Sequence, residues 1–290
     1  MATAATAAAA DDRVARGAYL LRAGGCVACH TDFARAGEFL AGGGPIKTPF
    51  GTFYAPNITP DPDHGVGAWR ETDFVTAMTR GVAPDGGHYY PVFPYAAYTK
   101  IGRVDLADLW AYLKTVPPVA QPRRQHDLRF PFSMRLANLG WKWLYFKTGP
   151  FQPDPGRAPE WNRGAYLVEA LGHCGECHTP RTRLGGLDRA LTMAGTRDGP
   201  DGSKVPNITP DAETGLGDWS KTDIAWLLKT GFMPDGDDVQ EGMGDVVEHG
   251  TSHLTDADLR AIAVYLKSLP PIHNRVRKKD DDDAGYNEDW

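Results

Sequence analysis

The sequence predicts a mostly α-helical protein made of two tandem copies of one small domain, and three observations predict it. A C-x-x-C-H motif occurs twice, as Cys26-Val27-Ala28-Cys29-His30 and Cys174-Gly175-Glu176-Cys177-His178, and together they use all four cysteines of the 290 residues. The segments flanking the two motifs repeat one another. Apolar residues recur at helical spacing, whereas the alternation expected of strands is sparse.

The repeat is specific. Cys26 and Cys174 stand at an offset of 148, and one residue less relates Arg16-Gly17-Ala18-Tyr19-Leu20 to Arg163-Gly164-Ala165-Tyr166-Leu167. Downstream, Pro56-Asn57-Ile58-Thr59-Pro60-Asp61 recurs as Pro206-Asn207-Ile208-Thr209-Pro210-Asp211, and Trp69, Asp73 and Gly81 match Trp219, Asp223 and Gly231. Tyr112-Leu113-Lys114 then pairs with Tyr265-Leu266-Lys267, and Pro117-Pro118 with Pro270-Pro271. A period of this length marks a duplicated domain.

Each copy reads in the same order. An opening helix (13–23, then 161–171) runs into the cysteine motif. A Gly/Pro-rich loop leads to the Asn-Ile-Thr-Pro segment. A helix then starts near Thr72 or Thr222, each followed by an aspartate suited to a helix N-terminus, and stops at Gly81 or Gly231. The last helix covers 104–115 and 256–268. In the second copy Leu259, Ile262, Ala263 and Leu266 form one apolar face, and the Pro-Pro pair ends the helix. The expected organisation is an unstructured leader at 1–12, domain 1 at 13–118, a linker at 119–160, domain 2 at 161–271 and an acidic tail at 272–290. The tail carries Asp280–Asp283, a run of like charge that is usually solvated. The linker carries an aromatic patch, Leu139-Gly140-Trp141-Lys142-Trp143-Leu144-Tyr145-Phe146, expected to pack between the domains or, second, to meet a partner or membrane surface.

The motif is the signature of covalent haem c attachment. Its two cysteines lie one helical turn apart, so both sulfurs reach one porphyrin edge, and the adjacent histidine projects onto the iron as proximal ligand. A redox dithiol or half of a zinc site is the alternative for a lone C-x-x-C. Two copies, each followed by histidine, favour two covalently attached haem c groups. This makes the domains cytochrome c-type haem domains. Such attachment follows export, so the expected location is the bacterial periplasm or the periplasmic face of the inner membrane. Residues 1–10 lack a basic start and a bulky apolar core, so an export signal or anchor is expected to lie outside this chain. A formal charge of −6 argues against nucleic acid as a partner. No run approaches the roughly 20 apolar residues of a membrane span, and peripheral membrane association stays open.

Taken together, Arg-Gly-Ala-Tyr-Leu before each motif, both Pro-Asn-Ile-Thr-Pro-Asp segments, Gly-Val-Ala-Pro-Asp-Gly at 81–86 and Tyr-Pro-Val-Phe-Pro-Tyr at 90–95 resemble the dihaem cytochrome c family. That family is related to the cytochrome subunits of bacterial membrane-bound alcohol and aldehyde dehydrogenases. The resemblance covers residues 13–271. It implies electrons received from a periplasmic dehydrogenase or other redox protein and passed to a cytochrome, quinone or oxidase, with no catalysis by the chain alone. Dehydrogenase-associated relatives often carry three haems, and this chain has motifs for two.

An electron-transfer haem takes a second axial ligand, usually methionine or histidine. In the second copy Met243, in a Gly-Met-Gly setting read as flexible, is favoured over Met233, which aligns with Ala83 and reads as loop packing. In the first copy the corresponding count lands on Phe93, where the resemblance implies methionine in relatives, and no methionine occurs between Thr79 and Ser133. That leaves an open iron under Phe93, ligation by His88, or a ligand crossing over from Met134 or His126. Pro56 and Pro206 are expected to offer their carbonyls to His30 and His178. Trp69, Trp219, Tyr95 and Tyr98 are expected to pack, with haem propionates as the alternative. A His178/Met243 haem should be the higher-potential centre. The leading function is electron carriage. The alternative is a dihaem enzyme whose open first haem binds peroxide, a nitrogen oxide or a sulfur anion.

Overall fold

The computed structural model describes residues 2–276, with residues 2–10 and positions 201 and 241 described by backbone alone. About 41% of the chain is helical, and strands among the described residues form one three-stranded antiparallel sheet. The protein is mostly α, as its sequence predicts.

The first half opens with α1 (Ala2–Ala23) and α2 (Cys26–His30). A hairpin, β1 (Pro45–Thr48) and β2 (Gly51–Tyr54), precedes α3 (Glu71–Arg80), α4 (Tyr95–Tyr98) and α5 (Arg103–Leu113). The connecting stretch contributes β3 (Asp127–Leu128) and α6 (Ala137–Tyr145). The second half follows with α7 (Pro159–Tyr166), α8 (Gly175–His178), α9 (Lys221–Thr230), α10 (Glu241–His249) and α11 (Asp256–Leu266).

Several helix boundaries differ from the sequence expectations, three of them at informative helix starts. Helix α1 starts at Ala2, so the leader expected to be unstructured at 1–12 is helical from that residue on; its alanines are the strongest helix formers. Helices α3 and α9 start one residue before Thr72 and Thr222. The carboxylates of Asp73 and Asp223 accept from the backbone N–H of Arg70 (3.0 Å) and Ser220 (2.8 Å), which makes 70 and 220 the caps. Gly81 and Gly231 end these helices with φ of 60° and 83°, a conformation that costs glycine nothing. Residues 277–290, most of the expected acidic tail, lie outside the described residues.

The one-residue slip between the repeated Arg-Gly-Ala-Tyr-Leu segments and their cysteine motifs has a local structural reason. In the first half Gly24 N–H bonds Leu20 O at 2.8 Å, an ordinary α-helical step. In the second half α7 continues as a π-helical turn over Leu167–Leu171, where Gly172 N–H bonds Leu167 O at 2.7 Å. The wider turn takes up the extra residue.

Helix packing places the motifs. Helix α1 crosses α5 at Gly17 and α7 crosses α11 at Gly164, and a Cβ at either glycine would sit 2.0 Å from Asp108 O or 1.9 Å from Ala261 O. The two halves then interlock through the tyrosine of each repeated segment. Tyr19 donates to Asp258 (2.6 Å) and Tyr166 to Asp105 (2.5 Å), each reaching into the other half. One apolar core runs through both halves, with Leu21, Val27 and Leu109 on one side and Val168, Leu171 and Leu259 on the other.

The stretch at 119–160 folds back onto the first half. β3 extends the hairpin, pairing Leu128 with Gly51. The Lys142 ammonium donates to the carbonyls of Arg80 and Gly81, both at 2.7 Å, and fastens α6 over the end of α3.

Candidate functional site

Each cysteine motif is a short helix followed by an extended residue. Gly25, with φ of 66°, turns the chain into α2, so Cys26 and Cys29 stand one turn apart and His30 closes the helix. The ring Nδ1–H of His30 donates to the Pro56 carbonyl at 2.7 Å, and that of His178 to the Pro206 carbonyl at 2.8 Å. This bond selects the tautomer whose Nε2 lone pair is free for a metal. The neighbouring asparagines set the two carbonyls. Asn57 Oδ1 accepts from Thr59 N–H (2.9 Å) and Oγ1–H (2.8 Å), and its amide donates to the carbonyls of Val119 (2.7 Å) and Gln121 (3.1 Å). Asn207 binds Thr209 the same way, and its amide donates to Thr214 Oγ1 (2.9 Å) and Ile272 O (2.7 Å).

Burial controls the titration of these groups. It lowers the pKa of His30 and His178 against the opposing pull of their proline carbonyls, so both imidazoles are neutral at neutral pH. It pushes the half-buried thiols of Cys26 and Cys174 up to about 12. A reactive dithiol needs the opposite shift, so the geometry favours sulfurs placed for a structural attachment.

A cavity of about 1490 Å³ adjoins Cys26, Cys29 and His30, above the roughly 300–1,000 Å³ of ordinary small-molecule sites. Phe93, Tyr98, Met78 and Trp69 contribute to its wall, and α6 adds Trp141 and Leu144. The Nε1 of Trp141 is buried in that wall without a hydrogen-bond partner, and the Nη1 of Arg124, buried there too, has only an ion pair with Asp32 at 3.6 Å. Buried donors are normally satisfied. An unpaired indole N–H and a nearby guanidinium in a largely apolar cavity, beside paired cysteines and a metal-ready imidazole, fit a large apolar macrocycle bearing carboxylates.

The expected site residues fall as follows. Phe93 lines the cavity, its ring edge-on to Tyr89 (5.4 Å) and Tyr98 (5.7 Å). His88 is not in the cavity wall; its Nδ1 meets the Lys142 ammonium at 2.8 Å. Met134 is exposed and also outside the wall. His126 does line the cavity, but its Nδ1 accepts from Tyr54 N–H at 3.2 Å. That bond leaves the proton on Nε2, a donor rather than a ligand for iron. Met243 is half-buried against the core. The Gly-Met-Gly stretch read as flexible lies within helix α10. Met233 sits in a turn, bonding Asp237 O through its N–H as Ala83 bonds Gly87 O. Met78, not considered from sequence, lines the cavity from α3 as a buried wall residue, and Leu228 holds the matching place on α9.

Comparison with known proteins decides the family. No protein-family model matches the chain. The chain is 48% identical over 261 residues to a "Diheme cytochrome c-type" protein of Cereibacter sphaeroides, an alignment that takes in 89% of this chain and 86% of the relative. The chain belongs to the dihaem cytochrome c family. It is also 45% identical over 271 residues to the cytochrome c subunit of the quinone alcohol dehydrogenase of Gluconacetobacter polyoxogenes, covering 89% of this chain and 56% of that subunit. It is 43% identical over 277 residues to the gluconate 2-dehydrogenase cytochrome c subunit of Pantoea cypripedii, covering 91% of this chain and 62% of that subunit. The chain thus spans less than two thirds of these curated dehydrogenase subunits.

As a dihaem cytochrome c the chain carries two covalently attached haem c groups, which supply one-electron iron couples when bound. Sequence reasoning missed two contributors to the first cavity. One is the stretch at 119–160, from which only His126 and Met134 were considered for the first haem, because its wall comes from long-range folding. The other is His173, which lines the first cavity although it precedes the second motif. The signal was present, since His173 stands where the first motif has Gly25.

Proposed function

We propose that this dihaem cytochrome carries single electrons outside the cytoplasm, from a dehydrogenase to a downstream cytochrome, quinone or oxidase. The chain reads as an internally duplicated pair of haem domains. The first haem is attached through Cys26 and Cys29 with His30 on its iron, and the second through Cys174 and Cys177 with His178. Met243 is the sixth ligand of the second, and Phe93 stands where a methionine would serve the first. Pro56 and Pro206 orient the two histidines. Arg124 and Trp141 are the donors available to carboxylates at the first site.

The observation that carries this reading is the closeness of the two attachment helices. Cys177 lines the same cavity as Cys26, Cys29 and His30. Two haem edges held side by side serve electron passage. An enzyme with an open first iron would need an acid–base group over it, and His88 is held by Lys142 away from the cavity wall. The carrier reading is preferred.

The partner reading rests on the dehydrogenase subunits among the relatives. Leu136, Leu139 and Trp143 share the outward face of α6 with Phe130 nearby, Trp143 at 85% exposed. An apolar surface of this kind, behind the wall of the first cavity, suits docking of a dehydrogenase or contact with a membrane surface. Among the described residues no helix is long and apolar enough to cross a membrane.

Met243→Ala tests the ligand assignment. The oxidised variant should lose its sulfur-to-iron charge-transfer band while keeping two covalently bound haems, as measured by near-infrared absorption and haem staining after denaturing electrophoresis. An undiminished band would remove Met243 from the iron.

A further inference from the structure

The residue before each cysteine motif adopts the left-handed conformation. In the first motif it is Gly25, with φ of 66°, and in the second it is His173, with φ of 38°. Glycine takes this conformation freely and a residue with a Cβ does not. A histidine kept where glycine would relax the backbone points to a use for its side chain.

The imidazole occupies the space between the two attachment helices. A Cβ on Gly25 would lie 3.4 Å from His173 Nε2, an ordinary van der Waals contact, so the ring sits directly against this residue. The other side of the ring meets Tyr98 edge-on at 5.4 Å. Tyr98 is itself fixed by donating to the Gly24 carbonyl at 2.6 Å and packs against Phe93. His173, Tyr98, Phe93 and Cys26 all line the first cavity, and His173 is bonded in sequence to Cys174. The π-helical turn that takes up the extra residue ends one residue before Gly172 and so delivers His173 to this place.

We propose that His173 is a positioning residue for electron exchange between the two haems: its ring fills the gap beside Gly25, closes the first cavity, and fixes the Cys174 attachment point against it. This rests on the electron-carrier reading above. The exchange moves one electron from a ferrous to a ferric iron; one centre is oxidised, the other reduced, and no bond is made or broken. Removing the ring opens the gap to water and loosens the contact between the two attachment helices, which slows the exchange and moves the midpoint potential of the first haem.

The test uses the full-length protein carrying both haems. A photoexcited one-electron reductant delivers less than one electron per molecule, and transient absorption follows its redistribution between the haems, with both midpoint potentials measured on the same samples. His173→Gly suits the backbone and should fold with both haems in place. It should slow the redistribution several-fold at matched driving force and shift the potential of the His30 haem. His173→Asn, which also tolerates the left-handed conformation, is the second variant, and should slow the redistribution likewise. An unchanged rate in either haem-replete variant overturns the proposal. No redistribution in the unaltered protein would instead overturn the electron-carrier reading.

Discussion

Replacing Asn57 by Ala is expected to lower the unfolding free energy of the haem-loaded protein by about 2–6 kcal/mol, the sum of two buried polar groups left unpaired at roughly 1–3 kcal/mol each. Asn57 is 3% exposed and Thr59 fully buried. The substitution strands the buried Thr59 N–H and Oγ1–H, both of which now donate to Asn57 Oδ1, and frees the less buried carbonyls of Val119 and Gln121. It also releases the loop that presents the Pro56 carbonyl to His30. Denaturant unfolding followed by far-ultraviolet circular dichroism measures the loss, and the covalent haems remain with the chain throughout. Asn207 makes the matching bonds, so Asn207→Ala should cost a similar amount. A loss under about 1 kcal/mol, the scale of one ordinary hydrogen bond, would contradict the buried-network account.

The second large effect reverses an ordinary rule. Alanine stabilises a helix interior by about 1 kcal/mol relative to glycine, yet Gly164→Ala is expected to destabilise by about 1–3 kcal/mol or more, the range for overpacking a close-packed site. The added Cβ would lie 1.9 Å from Ala261 O and 2.9 Å from Tyr265 Cβ, and no rotamer relieves a clash of Cβ with backbone. Helices α7 and α11 would have to move apart, shifting Asp258 away from Arg163, which now donates to it at 2.9 and 2.7 Å. Gly140→Ala on α6 is the control. Nothing lies within 4 Å of its Cβ position, so the helix-propensity gain of about 1 kcal/mol should appear there. Thermal unfolding of the two variants side by side checks both signs, and stabilisation by Gly164→Ala would contradict the packing described for α7 and α11.

What the sequence makes legible follows from how local the physics is. The cysteine motifs announce the cofactor because covalent attachment fixes residue types within five positions, and the family comparison bears out both the cofactor and the resemblance. Helix ends at Gly81 and Gly231 were readable because one residue decides a left-handed cap. The caps themselves were misplaced by a short distance, since Thr72 and Thr222 look like caps until Asp73 and Asp223 are seen reaching back to residues 70 and 220. Long-range placement was not readable. Nothing local says that residues 119–146 double back to wall the first cavity, that Lys142 claims His88, or that Gly-Met-Gly, a weak helix former by propensity, lies within α10. The extra residue before Cys174 looked like a slip in alignment and is a π-helical turn.

The proposed reading is that two unlike haems share one chain, with the methionine-ligated His178 centre expected at the higher potential. Optical potentiometric titration tests it most directly. The account predicts two one-electron waves, with the sulfur-to-iron band of the oxidised protein vanishing along the wave of higher potential. A band that vanishes with the lower-potential wave, or a methionine-ligated signature at both centres, would contradict it.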